Sequence, residues 1–131
     1  MQIGFIGLGR MGANMVKRLL PDGHTVVGFD HDPEVTTSLK QEGFQGADNL
    51  PTLVKSLDAP RTIWMMVPSG ETVSETIKLL LPHLSEGDLL IDGGNSLYKD
   101  SITRADTLKK EGIHFMDVGT SGGIWGLTVG Y

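Results

Sequence analysis

The 131-residue chain is 39% apolar and 21% charged, which suits one globular domain able to bury roughly two thirds of its unfolded surface. A formal net charge of −5 with no basic patch argues against a nucleic-acid partner, and the absence of cysteine excludes a disulfide framework, a thiolate nucleophile and a Cys-based metal site. No apolar run reaches the ~20 residues that cross a bilayer, and the N-terminus enters a strand pattern at once, so the expectation is a cytoplasmic protein with no membrane partner.

The first apolar run, Ile3 to Ile6, feeds directly into Gly7-x-Gly9-x-x-Gly12. A helical stretch follows to Leu20 and ends at Pro21-Asp22-Gly23. Strand, tight turn and helix start in this order hold a dinucleotide pyrophosphate. Gly7 permits the turn, Gly9 lets the backbone approach the phosphates, and Gly12 lets helix and strand pack closely. The anion then lies over unpaired N–H groups at the positive end of the helix dipole. Leu8, Arg10 and Met11 fill the variable positions of the loop and are taken with the glycines as cofactor contacts. A second run, Thr25–Phe29, closes on Asp30, where an acidic residue can accept from both hydroxyls of an adenosine ribose. His31 follows, and can lie against the adenine ring or stand in solvent.

Proline at position 33 suits the first turn of a second helix, which Gly43 stops after Glu42. Phe44–Ala47 reads as a short third strand, and Asp48 or Asn49 can cap a helix near Leu50–Leu57. Thr62–Val67 is a continuous apolar run, the pattern of a central strand buried on both faces. Pro68-Ser69-Gly70 breaks it, and Glu71–Leu81 places Val73, Ile77, Leu80 and Leu81 on one helical face. Asp88–Asp92 reads as a fifth strand, Gly93 to Ser96 as a loop, and Leu97–Glu111 as a helix ended by Gly112. His114–Val118 is a sixth strand. The glycine-rich tail, Gly119 to Tyr131, carries no period long enough to assign. The alternation predicts an α/β fold, a doubly wound, mainly parallel Rossmann sheet in the order 3-2-1-4-5-6 with helices on both faces.

Three segments together resemble one family. Gly7-Leu-Gly-Arg-Met-Gly12 matches the dinucleotide loop of the β-hydroxyacid dehydrogenases. Ile91-Asp-Gly-Gly-Asn-Ser96, continued as Leu97-Tyr-Lys-Asp100, is similar to the loop of decarboxylating 6-phosphogluconate dehydrogenases. Asp117-Val-Gly-Thr-Ser-Gly-Gly-Ile-Trp-Gly126 resembles their substrate loop in its shorter bacterial form. The resemblance implies that Asn95 touches nicotinamide ribose and substrate, that the backbone of Val67, Pro68 and Ser69 lies along the cofactor, and that Ser121, Gly122 and Gly123 hold the substrate's C1 carboxylate. The residues by themselves leave Asn95 open as a turn residue and Ser121–Gly123 as a flexible loop.

NADP-using members of that family carry Asn-Arg-Thr where this chain has Asp30-His31-Asp32. A carboxylate and a 2′-phosphate ~4 Å apart repel by about 4 kcal/mol at an effective dielectric near 20, and solvation reduces this. NAD is therefore expected over NADP. The resemblance further implies a sugar-acid phosphate substrate, a homo-oligomeric full-length enzyme, and a catalytic lysine and glutamate on a helical domain that this chain lacks. On that reading residues 1–131 are the cofactor domain, little active alone. A β-hydroxyacid dehydrogenase of the 3-hydroxyisobutyrate type and a non-catalytic NAD-sensing module are the competing readings.

Overall fold

In the computed structural model, which describes residues 1–40 and 42–131, the chain begins with β1 (Gln2–Ile6), whose residues after Gln2 are all buried. Helix α1 (Arg10–Leu19) returns the chain to β2 (Thr25–Phe29), and α2 (Pro33–Lys40) leads to β3 (Gln45–Gly46). A crossover through α3 (Leu50–Lys55) carries the chain past β1 to β4 (Thr62–Met65). Then α4 (Glu71–Leu80), β5 (Leu89–Asp92), α5 (Tyr98–Lys109) and β6 (His114–Asp117) complete the sheet. The six strands are parallel and lie in the order β3-β2-β1-β4-β5-β6, as the sequence predicts.

Side-chain alternation divides the interior into two cores, one on each face of the sheet. Ile6, Val27, Ile63, Met65 and Leu90 project toward Leu53 and Val54 of α3, Val73 and Ile77 of α4 and Leu108 of α5. Ile3, Phe5 and Val26 project the other way, toward Met15 and Val16 of α1 and Leu39 of α2. The second core narrows across the sheet. Phe5 pairs with Trp64, Trp64 with Ile91, and Ile91 with Met116, and this last residue is 49% exposed. Thr62–Val67 was expected to be buried on both faces. Instead Ile63 and Met65 are buried while Thr62 and Trp64 are only half-buried, because no helix covers that end of the sheet among the described residues.

Several boundaries move for local reasons. Helix α1 starts at Arg10, with Gly9 at its N-cap, two residues before the expected Gly12. The third strand shrinks to Gln45–Gly46, since Phe44 turns into the second core. Asn49 rather than Asp48 caps α3, its Oδ1 accepting the Thr52 N–H at 2.8 Å. The α2 expectation through Glu42 crosses residue 41, which lies outside the described residues. Gly112 takes a φ of +72° after α5, and the Ile113 N–H reaches back to Leu108 O, as a glycine-ended helix requires.

The tail departs most from expectation. A 3-10 turn, Gly123–Trp125, runs into a one-turn helix, α6 (Gly126–Val129), which packs on α1. Arg18 Nη1 donates to Leu127 O at 2.9 Å, and the Tyr131 ring lies directly over Gly126. Arg18 stays exposed while making this contact, and Lys17 pairs with Glu42 at 3.0 Å. The signal was absent locally: four helical residues show no period, and the contact joins residues 109 apart.

Candidate dinucleotide and substrate site

The carboxyl ends of β1, β2 and β4 open onto a cleft of about 850 Å³. Gly7, Gly9, Asp30, His31, Val67 and Pro68, all expected from the sequence, line it. Gly7 has a φ of +89°, and a Cβ there would collide with Met66 O. At Gly9 a Cβ would meet nothing within 4 Å, so the backbone is bare toward the cleft. A Cβ on Gly12 would run into Gly7 O, which accounts for glycine where α1 crosses β1. Helix α1 has no acidic residue in its first turn and no side-chain cap, so its leading N–H groups remain for an anion.

Asp30 is 8% exposed and ties the turn to β2. Its Oδ2 accepts the Leu8 N–H at 2.7 Å, and its Oδ1 accepts the Asp32 N–H at 2.9 Å and stands 3.1 Å from His31 Nδ1. The sequence analysis counted Leu8 among the cofactor contacts. In the structure its amide is bonded to Asp30 and its side chain is 1% exposed within the second core. Gly12 is buried likewise and acts through packing. His31 is 94% exposed at the rim. The far wall of the cleft is one the sequence analysis did not name: Asp48, Asn49 and Pro51 at the start of α3, with Thr72 and Thr76 on α4. No sequence motif marks these residues, because they converge only through the crossover past β1.

The loops after β5 and β6 are fastened together. Asn95 takes a φ of +58°; its Nδ2 donates to Thr120 O and its Oδ1 accepts the Thr120 N–H, both at 3.2 Å. Thr120 Oγ1 donates to Gly93 O at 2.9 Å. Beneath them Asp92, fully buried, accepts the Gly94 N–H and the Ser96 hydroxyl and faces Arg104 Nη1 at 3.8 Å. The left-handed turn and the loop contact at Asn95 are therefore both present, and the side-chain amide reads main chain on the next loop. Ser121 is exposed; Gly122 (φ +142°) rests against Tyr131, and Gly123 (φ +48°) opens the 3-10 turn. Asn95, Ser69 and Ser121–Gly123 do not line the 850 Å³ cleft but stand beyond it at the ends of β4 to β6. Among the described residues no group of three or more His, Asp or Glu side chains could hold a metal ion, and no helix is long and apolar enough to cross a membrane.

This geometry coincides with a known family. The model for the NAD binding domain of 6-phosphogluconate dehydrogenase matches residues 2–131. The chain belongs to that family. An NAD(+)-dependent, decarboxylating 6-phosphogluconate dehydrogenase of Haloferax volcanii is 42% identical over 131 residues, covering 100% of this chain and 43% of the relative. The Plasmodium falciparum 6-phosphogluconate dehydrogenase, solved apo, with its cofactor NADP+ and with its substrate 6-phosphogluconate, superposes with a TM-score of 0.90 at 28% identity, covering 97% of this chain and 28% of that one. Mycobacterium tuberculosis 3-hydroxyisobutyrate dehydrogenase superposes at 0.86 with 30% identity, covering 95% of this chain and 42% of that one. The chain spans less than half the length of the curated relatives it matches. As an NAD-binding domain of this family, it pairs an open cleft at β1, β2 and β4 with a second loop cluster at β5 and β6.

Proposed function

We propose that this NAD-binding domain serves an oxidoreductase that oxidatively decarboxylates 6-phosphogluconate to a ketopentose phosphate, with NAD preferred over NADP. The observation that carries the cofactor choice is the near-buried Asp30 carboxylate at the wall of the dinucleotide cleft. A second lone pair on Oδ2 is left for a ribose hydroxyl, whereas a 2′-phosphate would meet that negative charge at close range. His31, Asp32, Asp48 and His83 are the other titratable groups at the cleft, and among the described residues no arginine lines it. The residues fit the dinucleotide: bare backbone at Gly9, free N–H groups from Arg10 and Met11 at the start of α1, and walls of Val67, Pro68 and Thr72.

A nicotinamide dinucleotide held by Gly9, Asp30, Val67 and Pro68 would supply the hydride acceptor for oxidation of the substrate's hydroxyl-bearing carbon. This chain's own residues bind and orient. Ser69 follows Pro68 at the end of β4, beside the cofactor's path. Asn95 stands where nicotinamide ribose and substrate meet, and Ser121, Gly122 and Gly123 offer a hydroxyl and N–H groups for the substrate carboxylate. Proton transfer to and from the substrate falls to a helical domain outside residues 1–131, and the full-length protein works as a homo-oligomer in the cytoplasm. Exposed Ile124, Trp125 and Val129 on the tail provide apolar surface for such a neighbour.

Two measurements test this. Isothermal titration should give a Kd for NAD at least about tenfold below that for NADP, the ratio equivalent to 1.4 kcal/mol; NADP binding tighter than NAD would sink the assignment of Asp30. Steady-state assays of the full-length protein should show turnover of 6-phosphogluconate and little of 3-hydroxyisobutyrate. The reverse preference would place the chain with the second structural relative, and NAD binding without turnover of either would favour a sensing module.

A further inference from the structure

Asp30 has more donors around it than ribose recognition requires. The N–H groups of Gly7 and Leu8, successive residues of the turn, bond to Phe29 O at 3.0 Å and Asp30 Oδ2 at 2.7 Å, successive residues at the end of β2. The Leu8 side chain is buried at the same point, so the turn is pinned through both its backbone and its side chain. The next residue, Gly9, is the N-cap of α1 and the first with bare backbone. The direction in which the Gly9–Met11 amides face is therefore set where the Leu8 N–H is held. A buried N–H that loses its acceptor costs about 1–3 kcal/mol, enough to favour a rearranged turn.

We infer that Asp30 is a positioning residue for the pyrophosphate turn as well as a ribose acceptor, and that the two roles are chemically separable. This rests on the reading that a dinucleotide occupies the cleft. Holding the Leu8 N–H needs an acceptor oxygen, charged or not. Turning away a 2′-phosphate needs the negative charge. Asparagine supplies the first without the second, and alanine supplies neither. The adenosine end of the site thereby controls the diphosphate end through one side chain, over residues 22 apart in sequence.

The test compares wild type, Asp30→Asn and Asp30→Ala by calorimetric titration with NAD and with NADP, together with amide proton spectra and hydrogen exchange at Leu8 in the ligand-free chain. In wild type and Asp30→Asn the Leu8 amide should be shifted downfield and slow to exchange, and in Asp30→Ala it should lose both signatures. Asp30→Asn should weaken NAD less than Asp30→Ala does, while the NADP:NAD discrimination falls toward unity because the charge is gone. Asp30→Ala should weaken NAD by about tenfold or more and, having lost the charge too, should show the same fall in NADP:NAD discrimination as Asp30→Asn. Equal loss of NAD affinity in the two variants, with Leu8 exchange unchanged in both, would overturn the positioning role. A wild-type Leu8 amide that exchanges freely would overturn it as well. If wild type bound neither dinucleotide, the cofactor reading itself would fall, while protection at Leu8 would still report whether the brace exists.

Discussion

Gly12→Ala is expected to destabilise the chain by about 3 kcal/mol and to abolish measurable NAD binding. Two effects oppose each other at this position. Alanine is the better helix former by about 1 kcal/mol, and Gly12 is the third residue of α1. Against that gain, the new Cβ meets Gly7 O, a backbone atom held in place by the hydrogen bonds of Gly7 and Leu8 to the end of β2, with the Phe5 ring only 3.3 Å away. No flexible side chain is there to yield. Helix α1 must lift from β1, carrying the leading amides off the turn, so the clash outweighs the propensity. Thermal unfolding should show a fall of about 10 °C for a domain of this size. Gly9→Ala is the control: its Cβ enters open space, so stability should hold within about 1 kcal/mol while NAD affinity drops from crowding of the phosphate position. A Gly12→Ala chain that melted with wild type and bound NAD would refute the packing argument.

Asp88→Ala is expected to cost about 3–5 kcal/mol, without altering NAD affinity in the folded fraction. Asp88 is fully buried just ahead of β5. Its Oδ1 accepts the Arg61 N–H at 2.7 Å, and its Oδ2 accepts the Ser85 N–H at 2.8 Å and Arg61 Nη1 at 3.0 Å. Removing the carboxylate leaves two backbone donors without partners and a guanidinium, 17% exposed, with Val54 O and a long contact to Ser85 Oγ. The site lies at the amino ends of β4 and β5, whereas the cleft is at the carboxyl ends of the strands, which is why binding should survive. Chemical denaturation reads the loss directly. A change below about 1 kcal/mol would mean water replaces the carboxylate freely and the burial argument fails.

The parts of the site that the sequence revealed are those whose chemistry is local. Gly7, Gly9 and Gly12 announce a turn because glycine is demanded by the backbone at that point, and the structure gives each a distinct steric reason. The strand order followed from alternating strand and helix patterns, since short crossovers leave few arrangements. Asn95 was legible as a loop residue at the end of β5, yet its partner Thr120 was not, being 25 residues away on another loop. Asp88 read only as the first residue of a strand. Its pairing with Arg61 spans 27 residues and joins the starts of adjacent strands.

Composition and period by themselves determined the fold class, the dinucleotide turn and the acidic residue that closes the second strand. These depend on residues within one turn or one strand, where backbone sterics and side-chain alternation act without outside help. Tertiary structure alone decided that Leu8 faces inward, that Asp30 holds the turn, that α3 and α4 wall the cleft, and that the tail coils onto α1. Each of those is a contact between distant segments, and which donor meets which acceptor is settled only when the sheet brings strand ends side by side.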